Sequence, residues 1–171
     1  DYRNTVSAKS DLGGGVLLEL SHEIDYLRWI FGDISWVMGT CSKQSDLEID
    51  VEDTVHTILG FSSGYVKGTL NMDFVRHDTT RNCTAIGDKG TLRWDAGLGE
   101  LHFFDKNFDH WQILYKAEQN RDDSFMAEWK HFLQCIKTGQ NPLISYDEGL
   151  AVLKIIEAIR ESSKSGCKIY I

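Results

Sequence analysis

The 171-residue chain is poor in proline and has no long apolar run. Its one proline, Pro142, and the absence of low-complexity stretches or tandem repeats give no sign of a linker, so we expect one domain over residues 1–171. No apolar run approaches the roughly 20 residues that a membrane-spanning helix needs. Basic side chains are also scarce, at 18 against 26 acidic ones, and the net charge of −8 argues against nucleic acid or an anionic membrane as partner.

Cysteine pairs and nucleotide-binding loops are absent as well. The four cysteines form no Cys-x-x-Cys pair, which excludes a zinc knuckle and a thioredoxin motif; they are Cys41, Cys83, Cys135 and Cys167. Without a secretory signal, and with enough length to bury a core, we expect free thiols and a cytoplasmic location. The chain has no Gly-x-Gly-x-x-Gly and no phosphate loop, so it carries no recognisable nucleotide-binding loop of its own.

The first informative feature along the chain is a predicted helix that directly follows three glycines, called here the glycine-led helix. Apolar residues at helical spacing predict a helix over 15–31 that ends at Gly32. Three glycines, Gly13, Gly14 and Gly15, would each cost roughly 1 kcal/mol inside a helix. The three glycines are therefore expected only at the start of the helix, where the backbone passes close to a neighbouring group. Residues 1–12 read as an extended lead-in, and because the chain opens on Asp1 rather than methionine we expect an excised domain.

The middle of the chain, from about 33 to 117, follows a period of two. Alternation and short glycine-bearing turns predict strands at 34–43, 54–61, 65–76, 80–87, 90–95, 100–105 and 110–116. After residue 120 we expect a helix ending at Gly139, a second that starts with the capping box Ser145–Glu148, and a strand at 168–171. This order predicts an α+β fold with a large, mostly antiparallel or mixed open sheet and helices on one face.

A histidine and two carboxylates share the first predicted helix. Glu19, His22 and Asp25 are spaced i, i+3, i+6, within reach of one another. An imidazole can give and take a proton near neutral pH, so His22 is a candidate general acid or base. Pairing of His22 with either carboxylate for helix stability explains the same residues more simply.

The same three side chains offer a metal-dependent hydrolase as a third interpretation. The run His22-Glu23-Ile24-Asp25 lacks the His-Glu-x-x-His spacing that presents two imidazoles to one zinc ion, so we expect no metal.

The glycine-led helix nevertheless resembles the signature helix of the glucose–fructose oxidoreductase, inositol dehydrogenase and MocA family. The matching residues are Gly13-Gly14-Gly15, His22-Glu23-Ile24-Asp25, Trp29 and Gly32. Further matches follow in order at Glu52-Asp53-Thr54, Phe61-Ser62-Ser63-Gly64, Ile86-Gly87-Asp88-Lys89-Gly90-Thr91-Leu92, Phe132, Gly139-Gln140-Asn141-Pro142, Asp147-Glu148-Gly149-Leu150 and Ser162-Ser163-Lys164-Ser165-Gly166. The similarity spans nearly the whole chain.

This resemblance implies the C-terminal, substrate-binding and oligomerising domain of an NAD- or NADP-dependent oxidoreductase. The family's Rossmann domain, with its glycine-rich loop and Glu-Lys-Pro motif, would lie upstream and is missing, so residues 1–12 would lead in from it. The implied partners are a sugar, nucleotide-sugar or cyclitol substrate and further copies of the chain, joined through the free sheet face. We expect the isolated chain to bind no cofactor and to be inactive.

The resemblance also implies roles for individual residues. His22 would bond the substrate hydroxyl and handle its proton, and Asp25 would help to hold the sugar. Inositol-dehydrogenase-like members place an aspartate four residues before the histidine, where this chain has Leu18. Glu19 either takes that role or is a helix-surface acid. A non-catalytic sugar-binding or scaffold domain that keeps the family fold is the alternative.

Three arginines are candidates for contacts to a charged sugar or nucleotide-sugar: Arg3, Arg76 and Arg81. A solvated turn explains Arg76 and Arg81, at or beyond the end of a predicted strand, equally well. The backbone of Gly13 and Gly14 would lie near the cofactor.

Overall fold

The computed structural model describes residues 1–117 and 122–171. They form two compact units, residues 1–76 with 143–171 and residues 77–142. The α-helices of these residues are α1 (Val16–Glu19), α2 (Ser21–Phe31), α3 (Asp123–Thr138) and α4 (Tyr146–Ser165). The strands are β1 (Ile34–Ser42), β2 (Thr54–Phe61), β3 (Lys67–Asp73), β4 (Asn82–Gly87), β5 (Gly90–Asp95), β6 (Glu100–Asp105), β7 (Gln112–Lys116) and β8 (Ile169–Tyr170).

The first unit is built on an antiparallel sheet of strand order β3-β2-β1-β8. Alternate residues of β1 and β2 point to one face, where Val37, Val55 and Leu59 are fully buried. The helix α4 packs on this face and contributes the fully buried Ile156 and Ile159. Helix cover on one face of a sheet is therefore present here as predicted.

The edge of β1 beyond the short strand β8 is closed by two serines at the end of α4. Ser162 Oγ accepts a hydrogen bond from the Gly39 N–H at 3.0 Å. Ser163 Oγ accepts from the Cys41 N–H at 2.8 Å and donates back to the Cys41 carbonyl at 3.2 Å. These bonds satisfy backbone groups that a strand edge would otherwise leave open.

The second unit holds an antiparallel sheet of order β4-β5-β6-β7, followed by α3. A glycine turn joins β4 to β5, with Gly87 opposite Gly90. Helix α3 ends where predicted, at Gly139 in the left-handed conformation with φ of 69°.

The predicted α+β class and antiparallel pairing are confirmed, and so is the approximate position of every predicted strand. The expectation of one large sheet needs correction, because the strands of the described residues form two four-stranded sheets. Alternation and turns predict pairing within each hairpin, but they do not determine whether β3 pairs with β4, and these two strands do not pair.

The continuous helix predicted over 15–31 is also corrected. Leu20, with φ of −103° and ψ of 25°, separates α1 from α2. Glu52, from the segment before β2, holds the start of α1. The Val16 N–H donates to the Glu52 carbonyl at 3.1 Å, and the Leu17 N–H donates to Glu52 Oε1 at 3.2 Å. Within the described part of the chain, no helix has the length and apolar character needed to span a membrane.

Candidate functional site

His22 lies in the first turn of α2 with its side chain 52% exposed. Its Nε2 atom lies 3.0 Å from Oε1 of Glu23, whose side chain is nearly buried. The opposite side of α2 is fixed in the core by Ile24 and Leu27. The imidazole is therefore held by one ring nitrogen on a rigid helix while much of the ring faces solvent.

Asp25 follows His22 by one helical turn and is half-buried. Its carboxylate makes no hydrogen bond or ion pair with residues 1–117 or 122–171. A partly buried carboxylate is normally satisfied by a donor, so that of Asp25 is available to hydroxyl groups of a ligand.

Glu19 takes a different position from the one that an unbroken helix predicts. It lies at the end of α1, before the break at Leu20, and its Oε2 accepts a hydrogen bond from Ser7 Oγ at 2.9 Å. The structure keeps His22 and Asp25 on one helix but ties Glu19 to the lead-in.

Each of the three glycines before α1 has its own structural cause. Gly13 is exposed and left-handed with φ of 78°. A β-carbon on Gly14 would lie 2.5 Å from the carbonyl oxygen of Val6, and one on Gly15, where φ is 108°, would lie 2.5 Å from Glu52 Oε1. The close approach expected for these glycines is thus to the lead-in and to Glu52, and contact of Gly13 or Gly14 with a cofactor stays a prediction.

Arg28 anchors the far end of α2. Its guanidinium bonds Asp33 Oδ1 at 2.7 Å and Glu148 Oε2, on α4, at 2.8 Å. Burial alone would lower the pKa of Arg28, but the hydrogen bonds to the two carboxylates outweigh burial and raise the pKa. Sequence reasoning missed this anchor, because Arg28 and Glu148 are 120 residues apart and neither belongs to a recognisable pair.

Asp53 is a fully buried carboxylate of the first unit. It accepts hydrogen bonds from the N–H groups of Gln44 and Ser45, from Ser45 Oγ and from Thr54 Oγ1. Burial opposes ionisation, but these bonds prevail and lower the pKa of Asp53 to about 2. With all its oxygens used inside the protein, Asp53 holds the segment between β1 and β2 in place and is not placed to bind a ligand.

Of the three arginines predicted to contact substrate, Arg3 and Arg76 lie in the first unit and Arg81 in the second. Arg3 pairs with Asp1, also within residues 1–12, and with Glu48, in the segment between β1 and β2. Arg76 follows β3 and is exposed, and its backbone N–H donates to Asp73 Oδ1 at 2.6 Å. Arg81, in the second unit, lies over the ring of Trp94 at 5.3 Å from its centroid. Substrate contact by these residues stays a prediction.

No group of three or more histidine, cysteine, aspartate or glutamate side chains within residues 1–117 and 122–171 is placed to hold a metal ion. His22 has a single carboxylate at bonding distance in this part of the chain. His22 is thus a half-exposed imidazole held by one carboxylate, and the carboxylate of Asp25 lies one helical turn away.

Comparison with known families assigns the class, a C-terminal α/β domain of an oxidoreductase. Residues 2–171 match the family model described as the oxidoreductase family, C-terminal alpha/beta domain. The chain belongs to the Gfo/Idh/MocA oxidoreductase family, as its C-terminal domain.

Known proteins agree with this assignment. The chain is 27% identical over 159 residues to myo-inositol 2-dehydrogenase of Thermotoga maritima, covering 88% of the chain and 47% of that protein. Aldose-aldose oxidoreductase from Caulobacter crescentus, solved with glycerol, matches 93% of the chain over 48% of its own length, with a TM-score of 0.78 and 23% identity. The WlbA dehydrogenase from Bordetella pertussis, solved with NADH and UDP-GlcNAcA, matches 92% of the chain over 48% of its own length, with a TM-score of 0.72 and 20% identity. The chain thus spans about half the length of these relatives.

Proposed function

We propose that residues 1–171 form the substrate-binding and oligomerising part of a nicotinamide-dependent oxidoreductase that acts on a hydroxyl of a sugar, nucleotide-sugar or cyclitol. One observation carries the proposal: the exposed imidazole of His22, held by Glu23, stands one helical turn from the carboxylate of Asp25, which has no partner among the residues that the structure describes. The inositol, aldose and nucleotide-sugar enzymes among the relatives support the substrate class.

Oxidation of a hydroxyl removes a proton from oxygen and a hydride from carbon, leaving a carbonyl. In our proposal His22 accepts the proton, and the Glu23 carboxylate, 3.0 Å away, stabilises the imidazolium that forms. Asp25 accepts hydrogen bonds from hydroxyls of the substrate's sugar or cyclitol ring and so orients the substrate. In the reverse reaction His22 returns the proton. A bound nicotinamide supplies the hydride chemistry.

The glycine run before α1 is not expected to act as a phosphate-binding loop. The Gly14 N–H already donates to the Lys9 carbonyl at 2.8 Å, and the side of Gly14 that a β-carbon would fill faces carbonyl oxygens, which repel phosphate. We therefore propose that NAD or NADP is held by a Rossmann domain elsewhere in the full-length protein. Stoichiometric binding of NAD or NADH to residues 1–171 by calorimetry would contradict this.

We further propose that the outer face of the first sheet joins copies of the chain. That face carries large apolar side chains left in solvent, with Met38 and Ile58 nearly half exposed and Tyr170 more so. Ile58→Glu should lower the mass of the full-length protein by light scattering to that of a smaller assembly. An unchanged mass would rule out this face.

A non-catalytic sugar-binding or scaffold domain is the second candidate. It is favoured by Leu18 at the position of the usual family aspartate and by the engagement of Glu19 with Ser7. An upstream sequence with Gly-x-Gly-x-x-Gly and Glu-Lys-Pro would support the enzyme, and one without them the scaffold.

Substitution of the imidazole tests the enzyme directly. In the full-length protein, His22→Ala should lower turnover by about 10² to 10⁴-fold, the usual contribution of a positioned acid or base. His110→Ala is the matched control, since His110 is exposed in the second unit, and its turnover should equal that of the wild type. Unchanged turnover in His22→Ala would reject the proposal.

A further inference from the structure

The side chain of Trp29 is left in solvent on the helix that carries His22. It is 82% exposed although it lies inside α2. An indole buries roughly 150–250 Å² when it packs, which makes tryptophan a strong contributor wherever a partner covers it. A single exposed aromatic is common on protein surfaces, so the position of Trp29 decides what it does.

Trp29 lies on the same face of α2 as the two proposed site residues. It follows Asp25 by four residues and His22 by seven, which is one turn and two turns of an α-helix. Helical side chains lean toward the N-terminus, so a residue covers the turn before its own Cα. By this rule the indole of Trp29 would cover the turn that holds Asp25.

We propose, on the basis of the proposed function, that Trp29 is a substrate-binding residue that forms an aromatic wall for a neutral sugar or cyclitol ring. The C–H face of such a ring lies against the indole while its hydroxyls bond Asp25 and His22. A rigid aromatic beside a hydrogen-bonding carboxylate suits this ligand, because the ring offers both an apolar face and hydroxyl donors.

The charges on this helix face favour a neutral ring over an anionic group. The one cation of α2, Arg28, is turned to Asp33 and Glu148, with its side chain 9% exposed. The row of His22, Asp25 and Trp29 presents a carboxylate, which repels phosphate. The substrate part seated on this chain is therefore a neutral polyol ring.

The test compares Trp29→Ala and Trp29→Phe in the full-length enzyme, with myo-inositol and D-glucose as probes. Trp29→Ala should raise KM for the oxidised polyol about tenfold, which is about 1.4 kcal/mol, with little change in kcat. Trp29→Phe should restore most of the affinity. Tyr65→Ala is the control, because Tyr65 is 96% exposed beyond the end of β2, and its KM should be that of the wild type.

A second readout does not depend on the alanine variant folding. A saturating polyol should shift the tryptophan emission of the wild type, and this shift should be lost in Trp29→Phe. A KM unchanged in Trp29→Ala, or an emission shift that persists in Trp29→Phe, would overturn the proposal. A lower melting temperature with unchanged KM would also overturn it, by showing that Trp29 packs against another part of the protein.

The controls separate this inference from the proposed function. If His22→Ala lowers turnover while the Trp29 variants bind normally, the aromatic wall is wrong and the enzyme assignment stands. If the enzyme oxidises only a nucleotide-sugar and neither polyol, the neutral-ring proposal fails. If His22→Ala has no effect on turnover, the proposed function is wrong, and the inference about Trp29, which rests on it, is wrong as well.

Discussion

Nε2 of His22 lies 3.0 Å from Oε1 of Glu23, the next residue in the chain. Consecutive residues do not normally face each other on a helix, and this pair meets in the first turn of α2, directly after the break at Leu20. The carboxylate is nearly buried and the imidazole half exposed. Directly after the break in the helix, a nearly buried Glu23 is thus held beside His22, the residue proposed to carry the proton.

Glu23→Gln tests the importance of that pair. The amide keeps the size of the side chain and can still bond the imidazole, but it removes the negative charge that favours imidazolium. We expect kcat/KM of the full-length enzyme to fall by about tenfold, less than in His22→Ala. Steady-state kinetics of both variants measure this, and a loss in Glu23→Gln larger than in His22→Ala would contradict a positioning role.

Gly13→Ala and Gly14→Ala separate two reasons for the glycine run. At Gly13 there is open space, and alanine costs only the left-handed backbone, about 1 kcal/mol. At Gly14 the new β-carbon meets three backbone carbonyl oxygens at 2.5 to 2.8 Å, so we expect a loss of about 2 kcal/mol or more. Urea unfolding of the two variants measures which one loses more free energy of unfolding. A smaller loss in Gly14→Ala than in Gly13→Ala would contradict the close packing of residues 1–12 against Gly14.

Asp53 makes the stability of the first unit depend on pH. Its pKa in the fold, about 2, lies below its ordinary value, so the ionised form stabilises the fold above about pH 4. This contribution, about 2 kcal/mol, should disappear as the pH falls from about 4 to about 2. In Asp53→Asn the free energy of unfolding should be lower at pH 7, and its difference from the wild type should shrink over the same interval.

Asp88→Asn serves as the control for this pH dependence. Asp88 is exposed in the turn between β4 and β5, and its substitution should leave the acid limb of the stability curve unchanged. A wild-type curve that is flat between pH 4 and 2, measured by urea unfolding, would show that the Asp53 bonds do not form as described.

Most of the fold is readable from local signals. The β2 strand begins and ends at the predicted residues, Thr54 and Phe61, because alternation and a glycine turn act over a few residues. Half of the predicted capping box is present, since Ser145 Oγ accepts from the Glu148 N–H at 3.4 Å. The Glu148 carboxylate instead bonds Arg28, a partner that only tertiary structure supplies.

The site was readable only in part, for the same reason. Spacing alone places His22 and Asp25 on one helix face, and the structure keeps them there. The role of Glu52 at the start of α1 depends on a contact across 35 residues, and no short motif encodes it. Helix propensity gives no warning of the break at Leu20 or of the bond from Ser7 to Glu19, and a catalytic role of Glu19 stays a prediction.

The pH dependence of kcat/KM in the full-length enzyme tests the role of His22 most directly. For hydroxyl oxidation, a general base accepts a proton from the substrate only in its deprotonated form, so kcat/KM should rise with pH. In His22→Gln this limb should vanish and leave a low, flat profile, while His110→Ala keeps the wild-type curve. A wild-type limb that survives in His22→Gln would show that another group carries the proton.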